Sequence, residues 1–158
     1  MSARKIREWA FPYIKSFRTY IDIGACQGDT TNPFLGDFDR VISFEPIDFV
    51  FEKIDDRAEK YNVALGNEDT ERLLRLPNGL GHPEHASFTR YDFGEEIIVP
   101  VKRLDDYNFE DVDFIKIDVE HFEMDVCLGG RNTIKKFMPT IFFENKRNEA
   151  DNVVLLLL

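Results

Sequence analysis

The chain has 158 residues, enough for one domain around one hydrophobic core, and its 43% hydrophobic and 13% aromatic content excludes a disordered protein. A net charge of −10 argues against nucleic acid or an anionic membrane as a partner, because both require a basic surface. The two cysteines, Cys26 and Cys127, have neither disulfide-framework nor metal-binding spacing. The chain shows no secretory signal and no apolar run of membrane-spanning length, so we expect a cytoplasmic protein.

Short apolar runs alternate with helical segments in the first half of the chain. Apolar residues at helical spacing predict a lead-in helix over 4–17. Further helices are expected to start near Gly28 and to cover 47–58. Three runs predict buried strands: "TYIDI" (19–23), "VISFE" (41–45) and "YNVALG" (61–66).

The second half begins with a different pattern. Residues 71–101 contain "ERLLRL" and "EEIIVPVKRL", which predict an antiparallel pair of strands around a loop rich in Gly, Pro and His. Two apolar strands follow, "VDFIKID" (112–118) and "PTIFFEN" (139–145), with a helix between them that is interrupted near Gly129. "EADNVVLLLL" predicts the start of one more helix.

Apolar strands that alternate with helices predict an α/β fold with a doubly wound, mostly parallel sheet. We expect one domain over residues 1–158, with 1–18 as a lead-in segment and 71–101 as an antiparallel excursion. Right-handed crossovers bring the carboxyl ends of parallel strands to one edge of the sheet. Four predicted strands end there in an acid: Asp22, Glu45, Asp118 and Glu144.

The glycine-containing loop after the first strand suggests a ligand site. Gly24 and Gly28 permit a tight turn and close approach of the backbone to a ligand, although many such loops are only turns. Glu45 follows about 20 residues later, where an acid can accept hydrogen bonds from two ribose hydroxyls; its alternative role is to cap the next helix. The pair indicates an adenosine-containing ligand. A dinucleotide fits less well, because the loop lacks the G-x-G-x-x-G spacing.

Several motifs together resemble one family. "YIDIGACQGDTT", "VISFEP", "NVALGNED", "LDDY", "VDFIKIDVEHFEMDVCLGG" and "PTIFFE" resemble, in order and spacing, the FkbM family of S-adenosylmethionine-dependent methyltransferases over residues 19–145. The resemblance implies a class I methyltransferase fold and S-adenosyl-L-methionine as cofactor. It also implies a small-molecule acceptor, with O-methylation of a hydroxyl on a sugar or another metabolite.

The resemblance also implies roles for individual residues. Cofactor-binding positions would be Asp22, Gly24, Ala25, Gly28, Glu45, Pro46, Ala64 and Asp118. Candidates for the catalytic base would be Asp118, Glu120 and His121. Methyl transfer from a sulfonium mainly requires alignment of the acceptor oxygen and, if needed, removal of its proton. The same carboxylates could instead hold the cofactor's ammonium group or the substrate's hydroxyls.

The chain departs from the family pattern in several places. His121 stands where the family usually has glycine, and it could line the acceptor site or cap the next helix. His82 and His85 lie in a loop that could cover the cofactor, or they are simply solvated. Ser87 is a weaker candidate for the site.

Class I methyltransferases usually finish with a further helix and two more strands, partly as a hairpin at the sheet edge, whereas this sequence stops inside that helix. We therefore expect either a truncated chain, or a homo-oligomer or partner that covers the open edge of the sheet.

The sequence leaves two rival functions open. One is a truncated or degenerate protein that binds the cofactor without turnover. The other is a dinucleotide or nucleotide-sugar enzyme on a related fold. No metal site is predicted, although Asp118, Glu144 and Asn145 are oxygen ligands that could hold Mg²⁺.

Overall fold

A five-stranded parallel sheet forms the centre of the protein. The computed structural model describes residues 2–77, 79, 83–89 and 93–143. Its main sheet has the order β3-β2-β1-β7-β8, with every neighbouring pair parallel. The strands are β1 (Thr19–Ile23), β2 (Arg40–Phe44), β3 (Glu59–Tyr61), β7 (Phe114–Ile117) and β8 (Thr140–Phe143).

The strand order reverses at β1, which lies in the middle of the sheet. The chain passes outward from β1 through β2 to β3, and later returns to the other side of β1 with β7 and β8. All residues of β1 are buried, as expected for a central strand covered on both faces. The predicted α/β fold with a doubly wound, mostly parallel sheet is confirmed. Ligands bind at such reversal points in open α/β sheets.

A second, smaller sheet has the order β4-β6-β5. Its strands are β4 (Ala64–Leu65), β5 (Thr70–Leu76) and β6 (Glu95–Lys102). Strands β5 and β6 are antiparallel, as predicted for the excursion, and β4 runs parallel to β6.

The prediction of one continuous strand over 61–66 is wrong. The last backbone hydrogen bond of this segment at the end of β2 runs from the Glu45 amide to the Tyr61 carbonyl. Three residues later the backbone pairs with β6 instead, since Ala64 is the register partner of Val101. Tyr61, Val63, Ala64 and Leu65 are all hydrophobic, so the sequence does not reveal this change of sheet. Val63 lies between the two sheets.

The helices are shorter than the sequence indicated. They are α1 (Ala3–Trp9), α2 (Thr31–Phe34), α3 (Asp48–Phe51), α4 (Glu123–Gly129) and α5 (Arg131–Phe137). The lead-in helix predicted over 4–17 ends at Trp9, because Pro12 lacks an amide hydrogen and lies in a 3₁₀ turn. The helix predicted over 47–58 gives way to turns after Phe51. The predicted interruption near Gly129 separates α4 from α5.

Helices pack on both faces of the main sheet. On one face, Val126 of α4 and Ile134 of α5 contact a cluster that includes Ile21. On the other face, α1 and α2 cover an aromatic cluster in which the rings of Tyr20 and Phe114 stack at 5.1 Å between centroids. In the part of the chain described here, no helix is long and apolar enough to cross a membrane.

Candidate functional site

A cavity of about 460 Å³ lies at the carboxyl ends of β1, β2 and β7, where the strand order reverses. Its volume falls within the range of about 300–1,000 Å³ that is typical of small-molecule sites. The second sheet and the segment 83–88 contribute to its walls. The predicted site residues in the wall are Gly24, Ala25, Glu45, Pro46, Ala64, Asp118 and Glu120. The predicted residues outside the wall are Asp22, Gly28 and His121.

The loop after β1 is held by backbone contacts that require glycine. Gly24 has a φ of 75°, and its amide donates a 3.0 Å hydrogen bond to the carbonyl of Phe44. A Cβ at Gly24 would lie 2.1 Å from the carbonyl oxygen of Asp118, so no other residue fits without displacing the backbone. Gly28 has a φ of 85° and donates its amide hydrogen to the Ala25 carbonyl. These contacts position the backbone of 24–27 along the cavity.

Glu45 follows β2 directly and lies in the cavity wall. Its carboxylate accepts hydrogen bonds from the backbone amides of Cys26 at 2.8 Å and Ile47 at 2.9 Å. Only 4% of the residue is exposed. Burial raises the pKa of Glu45 to about 7, although the two amides favour the charged form. The hydrogen bond to Ile47 holds the turn that leads into α3, so Glu45 stabilises the backbone on both sides of the cavity wall in which it lies.

Asp22 lies behind the cavity rather than in its wall. It is fully buried, and one carboxylate oxygen accepts hydrogen bonds from the hydroxyls of Thr30 at 2.7 Å and Thr31 at 2.8 Å. The other oxygen accepts a 3.0 Å hydrogen bond from Lys116 Nζ. Lys116 also donates to the carbonyl of Gly24 at 3.1 Å. Asp22 thus ties β1, β7 and the glycine loop together, whereas the sequence analysis assigned it to cofactor contact.

Lys116 is a site residue that the sequence analysis missed. It is paired in register with Asp22 on the neighbouring strand, and it lies 3.8 Å from the Asp118 carboxylate. Burial alone would lower the pKa of Lys116, but attraction to Asp22 and Asp118 outweighs burial and raises it. The available signal was a lysine within the otherwise apolar strand "FIKI", because buried lysines are rarely found without a partner.

The three candidate bases occupy the turn between β7 and α4. Asp118 and Glu120 line the cavity and are half-buried. His121 is outside the wall. Glu120 and His121 both have positive φ values, 48° and 72°, which side-chain-bearing residues rarely adopt. The geometry therefore brings two of the three candidates to the cavity.

The histidine loop is described in part. His82 lies outside the described residues, as do Glu144 and Asn145. Neither His85, which ends a 3₁₀ turn, nor Ser87 is a wall residue, but Ser87 is 1% exposed and donates a hydrogen bond to the carbonyl of the wall residue Glu120. Within the described ranges, no group of three or more His, Cys, Asp and Glu side chains could hold a metal ion.

Comparison with known proteins identifies a matching family model and a solved structure of similar fold. A family model described as the methyltransferase FkbM domain matches residues 22–157. The crystal structure of methyltransferase FkbM from Methylobacillus flagellatus KT at 2.20 Å resolution is similar, with a TM-score of 0.60 and 19% sequence identity. The match covers 87% of this chain and 35% of that chain, so this chain spans about a third of the other's length. At this identity the likeness shows the fold alone. A comparison with curated proteins gives no match.

Proposed function

This chain belongs to the FkbM methyltransferase family, and we propose that it binds S-adenosyl-L-methionine and transfers the methyl group to an oxygen. The acceptor in this proposal is a small molecule with a hydroxyl group, such as a sugar. The observation that carries the proposal is the buried carboxylate of Glu45 in the wall of the cavity at the strand reversal. The family match and the similar fold support it.

Glu45 fits the ribose of a nucleoside. A carboxylate has about four acceptor positions, and the amides of Cys26 and Ile47 use two. The remaining positions can accept hydrogen bonds from two neighbouring hydroxyls. Because both amides fix the orientation of the carboxylate, ribose binding requires little further ordering of this side chain.

The rest of the cavity wall fits the other parts of the cofactor. Apolar side chains of Phe44, Ile47 and Val63 offer a surface for a flat base beside Glu45. The backbone of 24–27 and the Asp118 carboxylate supply polar groups for an amino-acid moiety. When bound, S-adenosylmethionine would supply an activated methyl group on a sulfonium.

The chain's own contribution to transfer is alignment of the acceptor and control of its proton. Asp118 and Glu120 lie at the same cavity, so either carboxylate can accept the hydroxyl proton as the new oxygen–carbon bond forms. Lys116 Nζ lies 3.8 Å from the Asp118 carboxylate, so a positive charge stands beside this carboxylate at the cavity. We propose that the carboxylates of Asp118 and Glu120 hold the acceptor and that one of them removes its hydroxyl proton.

Binding can be tested with S-adenosylhomocysteine by isothermal titration calorimetry. Glu45→Gln should weaken binding by about 1.5–3 kcal/mol, the range for hydrogen bonds to a charged group. Unchanged affinity would remove Glu45 from the site. Binding of NAD without binding of S-adenosylhomocysteine would reject the proposed cofactor in favour of a dinucleotide.

The two cysteines allow the ligand to be located. Cys26 lies in the cavity wall and is half-buried, whereas Cys127 is fully buried and burial raises its pKa to about 11. Iodoacetamide should therefore modify Cys26 in preference to Cys127, because the thiolate is the reactive form. S-adenosylhomocysteine should slow the modification of Cys26, measured by mass spectrometry. An equal rate with and without the ligand would place binding elsewhere.

Turnover requires a separate experiment. The wild type and Asp118→Asn would be incubated with S-adenosylmethionine and a panel of sugars and small diols, with methylated product measured by mass spectrometry. Asp118→Asn should retain the fold and lose most of the activity. Cofactor binding without transfer to any hydroxylated acceptor would support a binding protein without turnover instead.

A further inference from the structure

The turn that carries Glu120 is held in an unfavourable backbone conformation. Glu120 and His121 are consecutive residues with left-handed φ values of 48° and 72°. Each such residue costs about 1–2 kcal/mol when it has a side chain, and it persists only where surrounding contacts determine it. The contacts that hold this turn therefore decide where the Glu120 side chain lies.

Two hydroxyl groups from the segment 83–89 hold the turn. Ser87 Oγ donates a 2.6 Å hydrogen bond to the carbonyl of Glu120, and Thr89 Oγ1 donates a longer one of 3.4 Å to the carbonyl of His121. Both strained residues thus have their carbonyl groups bound by one neighbouring segment. Of the two contacts, that of Ser87 is the shorter and the more buried.

Ser87 is itself fixed to the second sheet. Its amide donates to the carbonyl of Arg75 at 3.0 Å, and the Arg75 amide donates back to the Ser87 carbonyl at 3.1 Å. The residue is 1% exposed, so water does not compete for its hydroxyl. A continuous series of hydrogen bonds therefore runs from β5 through Ser87 to Glu120.

The same segment forms part of the cavity wall. Pro83, Ala86 and Phe88 line the cavity, and the Phe88 ring lies 4.8 Å from the ring of Phe122, which follows the turn. The segment therefore contacts the ligand space and the strained turn together. Displacement of Ser87 would move both the cavity wall and the Glu120 carboxylate.

We infer that Ser87 is a positioning residue, which directs the Glu120 carboxylate toward the acceptor through its hydrogen bond to the Glu120 carbonyl. The role of the Glu120 carboxylate at the acceptor rests on the proposed function, whereas the hydrogen bond by which Ser87 holds the turn does not. Loss of the hydroxyl should affect the transfer step more than cofactor binding, because Glu45 and the glycine loop are held by other contacts. A displacement of about 1 Å in a reacting group can reduce a rate up to about a hundredfold.

Three variants test the inference. Ser87→Ala removes the short hydrogen bond, and Thr89→Val removes the long one with little change of shape. Ser43→Ala is the matched control, since Ser43 is a fully buried serine on β2 whose hydroxyl has no hydrogen-bond partner among the described residues. Each variant would be measured for S-adenosylhomocysteine affinity, for kcat and KM in methyl transfer, and for backbone amide NMR signals.

Ser87→Ala should shift the amide signals of residues 120–122 and lower kcat by about tenfold or more, with cofactor affinity within about threefold of the wild type. Thr89→Val should show a smaller effect, and Ser43→Ala none. Unchanged signals at 120–122 in Ser87→Ala, or an equal loss of kcat in Ser43→Ala, would overturn the inference.

The proposed function fails separately. If wild-type protein binds no S-adenosylhomocysteine and transfers no methyl group, the proposed function is wrong, and the amide signals alone then decide whether Ser87 holds the turn. Signals that shift in Ser87→Ala and stay in place in Ser43→Ala support the hold even then. Signals that stay in place in both variants reject it.

Discussion

The carboxylate of Glu45 accepts a 2.8 Å hydrogen bond from the backbone amide of Cys26, so the end of β2 holds the loop that follows β1. Cys26 has a φ of 50°, a value that costs free energy for a residue with a side chain. The hydrogen bond stabilises this conformation, and the acceptor carboxylate is almost fully buried. Glu45 therefore holds the loop and lies in the cavity wall at the same time.

The protonation of Glu45 should make stability depend on pH. Its pKa is raised to about 7 in the folded protein, against 4.5 for an ordinary glutamate, chiefly by burial. Between these two pH values the folded state binds more protons than the unfolded state, so the free energy of unfolding falls as the pH rises. A difference of this size corresponds to an effect on the order of 3 kcal/mol.

Urea denaturation of the wild type and Glu45→Gln at pH 4.5, 5.5, 6.5 and 7.5 (about one-unit steps) would isolate this effect. The wild type should lose stability relative to Glu45→Gln over this range, because glutamine does not titrate. If the free energies of unfolding of the two proteins changed in parallel with pH, the pKa of Glu45 would not be raised in the folded state.

Gly24 should be irreplaceable, in contrast to a glycine outside the site. Gly24→Ala brings a Cβ within 2.1 Å of the Asp118 carbonyl oxygen at a φ of 75°. We expect it to cost more than about 2 kcal/mol of stability, the range for incompatible backbone substitutions, and to abolish cofactor binding. Gly36→Ala is the control, since nothing lies within 4 Å of its added Cβ, and it should stay within about 0.5 kcal/mol of the wild type. Thermal unfolding and calorimetry measure both effects; equal losses in the two variants would contradict the prediction.

Local pattern predicted four of the five strands of the main sheet, because β1, β2, β7 and β8 are mostly apolar runs. "TYIDI" and "FIKI" form neighbouring parallel strands, so their carboxyl ends lie at the same edge of the sheet. Local pattern failed where contacts between distant segments determine the path of the chain. Nothing local shows that the chain leaves the main sheet between Tyr61 and Ala64, since the run "YNVALG" has no glycine or proline at the break.

The sequence predicted which residues lie near the edge of the sheet, but not the contacts that their side chains make. Glu45 and Asp118 were expected at the edge of the sheet and lie in the cavity wall. Asp22 was also expected there, but it lies one residue before the end of β1, on the face shared with Tyr20, so its side chain enters the interior. Its partner Lys116 is 94 residues away in sequence, and only the parallel pairing of β1 and β7 reveals that contact.

The buried ion pair of Asp22 and Lys116 should be strongly coupled. Removal of one partner leaves a buried charge without its counter-charge, which typically costs about 3–5 kcal/mol. Lys116→Met should therefore be severely destabilising. The double variant Asp22→Asn with Lys116→Met should lose less than the sum of the two single losses, because it leaves neither charge unpaired.

An exposed pair provides the control for this cycle. Lys102 lies on β6 and contacts Asp69 at 2.6 Å, with the two side chains 40% and 62% exposed. Lys102→Met should cost no more than about 1 kcal/mol, since water screens the pair. Urea denaturation of all the variants measures the difference. Similar losses for Lys102→Met and Lys116→Met would mean that the Asp22–Lys116 pair is not buried as described.

Met138 offers a stabilising substitution outside the cavity. It ends α5 with a φ of 49° and a ψ of 52°, and its amide donates to the Ile134 carbonyl at 2.8 Å. Glycine adopts this left-handed conformation without the steric cost that a Cβ imposes, and it is the commonest residue at this helix position. The methionine side chain is largely exposed, so its removal sacrifices little packing. Met138→Gly should raise the free energy of unfolding by about 0.5–1 kcal/mol.

Met138→Ala separates the backbone effect from the loss of the side chain. Alanine removes the same exposed group but retains the Cβ, so the left-handed conformation stays strained. Thermal unfolding should therefore give a higher midpoint for Met138→Gly than for both Met138→Ala and the wild type. If alanine stabilises as much as glycine, the gain comes from removal of the exposed side chain, and backbone strain at the end of α5 contributes nothing measurable.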